Sequence, residues 1–419
     1  MDIQIILVII GIIIAIIFGC FQVIVPFVKG EVKISKSWPF VVKATVSQNI
    51  QTGEPNTKEQ QQQDILVNGP LSAIGYSVGR FRANVYLDLL GGGDQAFDRQ
   101  SLNFDYQHEW MLLPNPIQEK REPWIKEEEN EAKIKGSAFF NGPAVRLHSF
   151  QINVFQSSGG DERKRPLLQF RPTCWYDYVV SNRRIDMEVF VPEKGFTTIR
   201  AEYADERTLI ITRRIDWVQL SNILTVSVVF VTKDRWTLLG LRTNLVDNAR
   251  KVFTASAAEN IHRWKDEPSI LGDPWSVPKW LAQPEEKCKV DWAYEPKMCP
   301  NPFFTVLRAV DEEIAKEVAQ AVTVDNVEFL SLAWDLHSFH PHLYAIVRVE
   351  MPITEVERIV KGSRAADSWE ATLFPVRFEP GDKLKKYLAD ASWAEISKGA
   401  ILRALVYEYG YNDVDKAFR

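Results

Sequence analysis

The chain has 419 residues, of which 46% are hydrophobic and 25% charged, and its formal net charge is −5. That length holds one large domain or two or three ordinary ones, with enough apolar content for a packed core. There is no basic excess to advertise a nucleic-acid surface, so no nucleic-acid partner is expected.

From Ile5 to Val28 no side chain is charged and only Gln22 is strongly polar. The run predicts a transmembrane helix over residues 4–28, because a bilayer core of ~30 Å takes about 20 residues at ~1.5 Å each. A signal peptide fits poorly: the early charge is Asp2, the apolar core is too long and no small-x-small site follows. Lys29, Lys33, Lys36 and Lys43 outnumber Glu31 behind the run. The positive-inside rule then places the N-terminus outside and the rest of the chain in the cytoplasm, anchored to the membrane by a single pass. Cys20, Cys174, Cys288 and Cys299 have no CxxC spacing and read as free thiols of a reducing compartment.

Residues 30–143 hold a juxtamembrane strand ("FVVKATV"), a polar linker and a stretch of weak pattern. "ANVYLDLLGGGDQ" reads as a strand or short helix ended by Gly91–Gly93. No Lys-Ser/Thr follows those glycines, so they suit a turn better than a phosphate loop. "EKREPWIKEEENEAKIKG" reads as charged surface. Residues 144–219 are β-rich, with strands over "AVRLHSFQINVFQ", "LLQFRPTCWYDYVV" and "FTTIRAEYA". Residues 220–419 open with a hairpin, "ILTVSVVFVTKDRWTLLGLRT", whose first strand, Thr225–Val231, is apolar enough to be buried on both faces. Residues 265–302 carry seven prolines with Trp275, Trp280 and Trp292, and predict an irregular excursion pinned by aromatics.

Phe303, Val306, Leu307, Val310, Ile314 and Val318 then recur at helical steps, with Pro302 in the first turn. Strands over "VEFLSLAWDLH" and "LYAIVRVEM" follow, then a helix ("TEVERIVKGS"), a strand ("LFPVRFEP") and a final helix from about Trp393 to Tyr409. This order predicts one α/β module. Off the apolar stripe of "RAVDEEIAKEV" lie Arg308, Asp311, Glu312 and Lys316. Arg308–Glu312 and Glu312–Lys316 are i, i+4 pairs of opposite charge. The stretch supports two readings, a solvated ion-paired helix face or a carboxylate metal site.

A carboxylate-bearing helix directly after a buried hairpin resembles the Nudix fold, whose signature is Gly-x5-Glu-x7-Arg-Glu-U-x-Glu-Glu-x-Gly-U with U a bulky aliphatic. Arg308, Val310, Glu312 and Glu313 match its second half. Ala309 and Ala315 stand where a glutamate and a glycine belong, and Pro300 and Tyr294 where the first half has its glutamate and glycine. "NLVDNARKVFTASAAENI" resembles the segment leading to the box, and "WYDYVVSNRRID" the lead-in strand of a divergent bacterial Nudix-like group, with residues 265–302 as an insertion.

The resemblance implies an α/β fold: a Nudix-like α/β/α module preceded by a β-rich region and the transmembrane helix. It implies Glu312 and Glu313 as catalytic carboxylates that hold Mg²⁺, with Glu259 or Asp311 as a third oxygen donor. Arg308 would orient a glutamate or contact phosphate. Arg242, Glu259, His337 and His340 are further candidates for ligand binding. Asp335, His337, His340 and His342 in "DLHSFHPH" read as pocket-lining residues or a polar loop ahead of a transition-metal site. The expected function is a membrane-anchored nucleotide or nucleoside-diphosphate-linked ligand sensor of signalling or defence, with catalysis reduced or lost and a protein partner or second copy as its target. The alternatives are an active Mg²⁺-dependent Nudix hydrolase and a structural subunit of a membrane complex.

Overall fold

A computed structural model describes residues 75–88, 95–137, 139–156, 162–204, 215, 218–243, 251–283, 294–362, 371–390 and 392–419. All belong to the compact unit Gln62–Arg419. No helix among the described residues is long and apolar enough to cross a membrane. The architecture with an N-terminal transmembrane helix, and the single-pass location with a cytoplasmic C-terminal domain, are corrected on that finding. Residues 4–28, on which they rested, lie outside the described residues, as do the polar linker and Gly91–Gly93.

The described chain is mixed α/β. It begins with a small hairpin, β1 (Tyr76–Val78) and β2 (Phe81–Ala83), followed by β3 (Val85–Asp88) and β4 (Asn103–Tyr106). The stretch read as charged surface is a helix, α1 (Asn115–Lys135), entered through Pro116 and ended by Gly136 at φ 64°. It is polar on most of its surface and buries Ile117, Trp124, Ile125 and Ala132. The β-rich region supplies β5 (Pro143–Gln156) and β6 (Glu162–Cys174), which pair antiparallel, with β4 parallel on the other edge of β6. "WYDYVV" is not a continuation of β6 but a short helix, α2 (Trp175–Val180). A hairpin of β7 (Glu188–Val191) and β8 (Gly195–Thr198) leads into α3 (Ile199–Tyr203), so "FTTIRAEYA" divides between strand and helix.

The main sheet is built on the expected hairpin, β9 (Thr225–Thr232) and β10 (Trp236–Arg242). Every residue of β9 is buried. After the single pair Thr237↔Val231 the two strands diverge. Into the fork come β11 (Phe253–Thr254), on β10, and β12 (Ala257–Asn260), on the first half of β9. The excursion follows, with one short helix, α4 (Lys279–Ala282). Next comes α5 (Pro302–Ala309), whose N-cap Asn301 accepts the Phe303 N–H at 3.0 Å. A π-helical turn, Val310–Ile314, continues it. Ala315 is extended (φ −172°) before α6 (Lys316–Ala319). The predicted single stripe therefore spans three pieces, and its members are buried apart from the half-buried Leu307.

The remaining elements come in the expected order: β13 (Val327–Asp335), β14 (His340–Val349), α7 (Ile353–Gly362), β15 (Ala371–Arg377), α8 (Asp382–Leu388), α9 (Glu395–Tyr409) and α10 (Tyr411–Phe418). The sheet runs β11-β10-β9-β14-β13-β3, with β12 also on β9 and β15 also on β10. β9 and β14 are parallel at its centre, and β3 from the weakly patterned region closes one edge. Alternation along the strands sorts their side chains into two cores. Val226, Val228, Phe230, Leu343, Ala345 and Val347 pack with α5, the π turn, α7 and the β5–β6 side. Val229, Val231, Tyr344 and Ile346 pack with α8, α9 and α10. Helices thus cover both faces, and α5 carries the candidate motif on the first.

Candidate functional site

The register of β12 on β9 decides what α5 meets. Glu259 lies opposite Val226, whose side chain faces α5, so Glu259 faces it as well. Arg308, one residue from the end of α5, is 2% exposed. Its Nε and Nη2 bond the two oxygens of Asp266 at 2.9 and 3.0 Å. Nη1 donates to Glu259 Oε2 at 2.8 Å and to Glu312 Oε2 at 3.0 Å, and Nη2 also reaches the Asn260 carbonyl at 2.7 Å. Lys265 Nζ bonds the other Glu312 oxygen at 3.2 Å. The solvated helix face is therefore corrected: the i, i+4 pair exists, inside the protein and joined to two further carboxylates. A bidentate fork of Arg308 is closed on Asp266, and the same guanidinium holds Glu259 and Glu312.

Asp266 is fully buried and also accepts from Thr305 Oγ1 and from the His262 N–H, both at 2.8 Å. It sits in a turn, His262–Glu267, that no motif pointed to. His262 Nδ1 receives the N–H groups of Trp264 and Lys265, each at 3.1 Å. Burial, then Arg308 and Lys265, push its pKa well below the usual value, so the ring is neutral. Glu267, 1% exposed, bonds Lys279 at 2.5 Å, Tyr294, and the N–H groups of Lys297 and Met298. Six successive residues thus fix the motif helix and the excursion together. The only signal for them was a run of charges beside Trp264, which periodicity does not interpret.

Electrostatics separate the two glutamates that share Arg308 Nη1. Burial raises Glu259 from the ordinary 4.5 to about 7; Arg308 pulls against this and the neighbouring Glu312 adds to it. Burial also opposes the charge on Glu312, but Arg308 and Lys265 prevail and hold it below the ordinary range. The Glu259 shift makes stability depend on pH. A carboxyl whose native pKa lies above its unfolded value binds its proton more tightly in the native state. Its contribution is complete below pH 4.5, declines as pH rises and is gone above about 7. Glu259→Gln, which keeps an acceptor for Arg308, is expected to flatten this limb and to be more stable than wild type at pH 8. The gain is on the order of 3 kcal/mol at most, and less in practice because the side chain is 22% exposed. Urea unfolding at pH 5, 6, 7 and 8 measures it, and parallel pH profiles for the two proteins would refute the assignment.

Mg²⁺ takes about six oxygens in a tight octahedron. Here both oxygens of Glu312 and one of Glu259 face the protein's own cations. Glu313 points elsewhere, with Oε1 accepting the Ala258 N–H at 2.7 Å. Among the described residues no group of three or more His, Cys, Asp or Glu side chains is placed to hold a metal ion. The arrangement does not fit the magnesium site expected from Glu259, Glu312 and Glu313.

The other expected residues lie apart. Arg242 ends β10 in register with Ala371, and is not a partner of Arg308. His337 is exposed on the β13–β14 turn, where its N–H meets Asp335 Oδ1 at 3.0 Å. His340 and His342 lie on β14 under α2. His340 reaches the Arg308 cluster indirectly: its Nε2 is 2.9 Å from Thr225 Oγ1, which donates to Asn260 Oδ1, and the Asn260 carbonyl receives Arg308. No family model matches the chain, and no curated protein matches it.

Proposed function

We propose that the α/β module is a Nudix-like binding domain. It recognises a nucleotide or nucleoside-diphosphate-linked ligand without metal-dependent turnover, and passes occupancy to a protein partner or a second copy as a sensor or signalling module. One observation supports the loss of catalysis above all. Arg308 and Lys265 pair from within with Glu312, and Arg308 with Glu259, two of the carboxylates that a hydrolase of this resemblance would turn to a divalent ion. The order of strands and helices around α5 supports the resemblance.

A second reading, a scaffold whose charge network serves only stability, is favoured by the near-complete burial of Arg308 and Asp266. Calorimetry of the purified full-length chain against a panel of nucleoside-diphosphate-linked compounds, with and without Mg²⁺, separates the readings, with turnover followed as phosphate release. Binding that does not need Mg²⁺, with negligible release, is the expected result. Robust Mg²⁺-dependent turnover abolished by Glu313→Gln would establish an active hydrolase instead, and no binding across the panel would favour the scaffold.

A further inference from the structure

The histidines of β14 form a second cluster, separate from the charges on α5. Pro341 lies between His340 and His342, so strand alternation turns both rings to one side, with centroids 4.3 Å apart. His342 is 6% exposed. His342 Nε2 lies 3.2 Å from His340 Nδ1, and Tyr178 Oη, from α2, lies 3.2 Å from the same nitrogen. A neutral ring nitrogen offers one lone pair and so takes one good hydrogen bond. Two potential donors converge on this one.

The outward nitrogens are each met by a hydroxyl oxygen. Thr225 Oγ1 is 2.9 Å from His340 Nε2, and Ser227 Oγ is 2.9 Å from His342 Nδ1. Thr225 gives its own hydrogen to Asn260 Oδ1 at 2.5 Å. Where Thr225 accepts the His340 Nε2–H, the His340 lone pair is on Nδ1, facing inward; the Ile223 carbonyl is a further acceptor beside this ring. Ser227 accommodates either tautomer of His342. With the proton on Nδ1, donated to Ser227, the Nε2 lone pair also faces inward.

His342 Nε2 and Tyr178 Oη then both stand against His340 Nδ1. In a tetrahedral site with metal–nitrogen bonds of ~2.0–2.1 Å, ligand atoms stand about 3.3 Å apart, close to the 3.2 Å edges seen here. Hydroxyls behind both rings are the outer partners that orient metal-bound histidines. Asp335 lies near enough to act on His340 and Tyr178 through its charge, while its oxygens accept from the His337 N–H and Ser338.

We propose that His340 Nδ1, His342 Nε2 and Tyr178 Oη form a binding site for one divalent transition-metal ion of the zinc class. Imidazole ligands favour such an ion over magnesium. None of its three ligands is a carboxylate of α5, and only the chain Thr225–Asn260 links it to Arg308.

The test is titration of Co²⁺, then Zn²⁺, into chelator-treated full-length protein. One equivalent of Co²⁺ is expected to give the intense visible absorption of a tetrahedral cobalt site, and one equivalent of Zn²⁺ to remove it. Tyr178→Phe, which keeps the ring and its packing, and His342→Gln should each lose or sharply weaken the band. Thr225→Val should lower affinity about 10–100-fold through the outer partner. Circular dichroism checks that the variants fold, and the Thr225→Val affinity remains informative if His342→Gln does not. The proposal is overturned if wild type shows no such band with stoichiometric Co²⁺, or if Tyr178→Phe and Thr225→Val both bind as wild type does.

Discussion

Arg308→Ala is expected to lower the stability of the described domain by about 3–5 kcal/mol, the loss typical when one partner of a buried ion pair is removed. The guanidinium meets Asp266, Glu259, Glu312 and the Asn260 carbonyl together. Without it, Asp266 keeps Thr305 and the His262 N–H but loses its counter-charge in a fully buried setting. Arg308→Lys should recover only part of the loss, because an ammonium does not reproduce the two-pronged bond to Asp266. Urea unfolding is the measurement. The exposed pair Lys126–Glu122 on α1 provides the control, and Lys126→Ala should leave the midpoint where it is. If Arg308→Ala behaved like that control, the network would be ornamental and the reading of α5 wrong.

Phe303→Ala should cost a similar ~3–5 kcal/mol, here through a cavity. Phe303 is fully buried at the start of α5, with its ring edge-to-face on Phe329 of β13 at 4.8 Å and on Trp275 of the excursion at 5.3 Å. It joins sheet, helix and excursion at one point. Phe303→Leu, which fills most of the space, should cost far less. Equal losses for Leu and Ala would show that the aromatic contacts, not the volume, hold this corner.

The parts of this fold legible from sequence are those set by periodicity. The apolar run of β9 has the repeat of a doubly buried strand and is buried as expected. The stripe from Phe303 to Val318 is buried apart from the half-buried Leu307, but on a helix broken into three pieces whose first, α5, is buried on nearly every side rather than one. The helix α1 escaped because its surface is polar around most of its circumference, leaving four buried residues to mark it. At the site, Glu259, Arg308 and Glu312 were legible and do meet. Asp266 and Lys265 were not, because their roles come from a turn folding back against α5. Asp266 and Arg308 are 42 residues apart in the chain, and no local pattern spans such a distance. Magnesium was expected from the Nudix resemblance of the carboxylates, and the cations that face Glu312 are Lys265, from that same unread turn, and Arg308.

The parallel pairing of β9 with β14 bears on how the protein is made. Ser227 and His342, bonded across that pair, are 115 residues apart. At ~5–20 residues per second on the ribosome, β9 emerges on the order of ten seconds before the strand that covers its edge. In that interval a segment whose every residue is destined for burial has β10, through a single register pair, and β12, through four, along one edge, while the edge that β14 will take stays open. Apolar strands with open edges are templates for pairing with other chains. The nascent polypeptide therefore passes through a stage in which an apolar strand is complete with one edge open. Yield in cells should accordingly depend on chaperone capacity during synthesis more than on the stability of the finished domain.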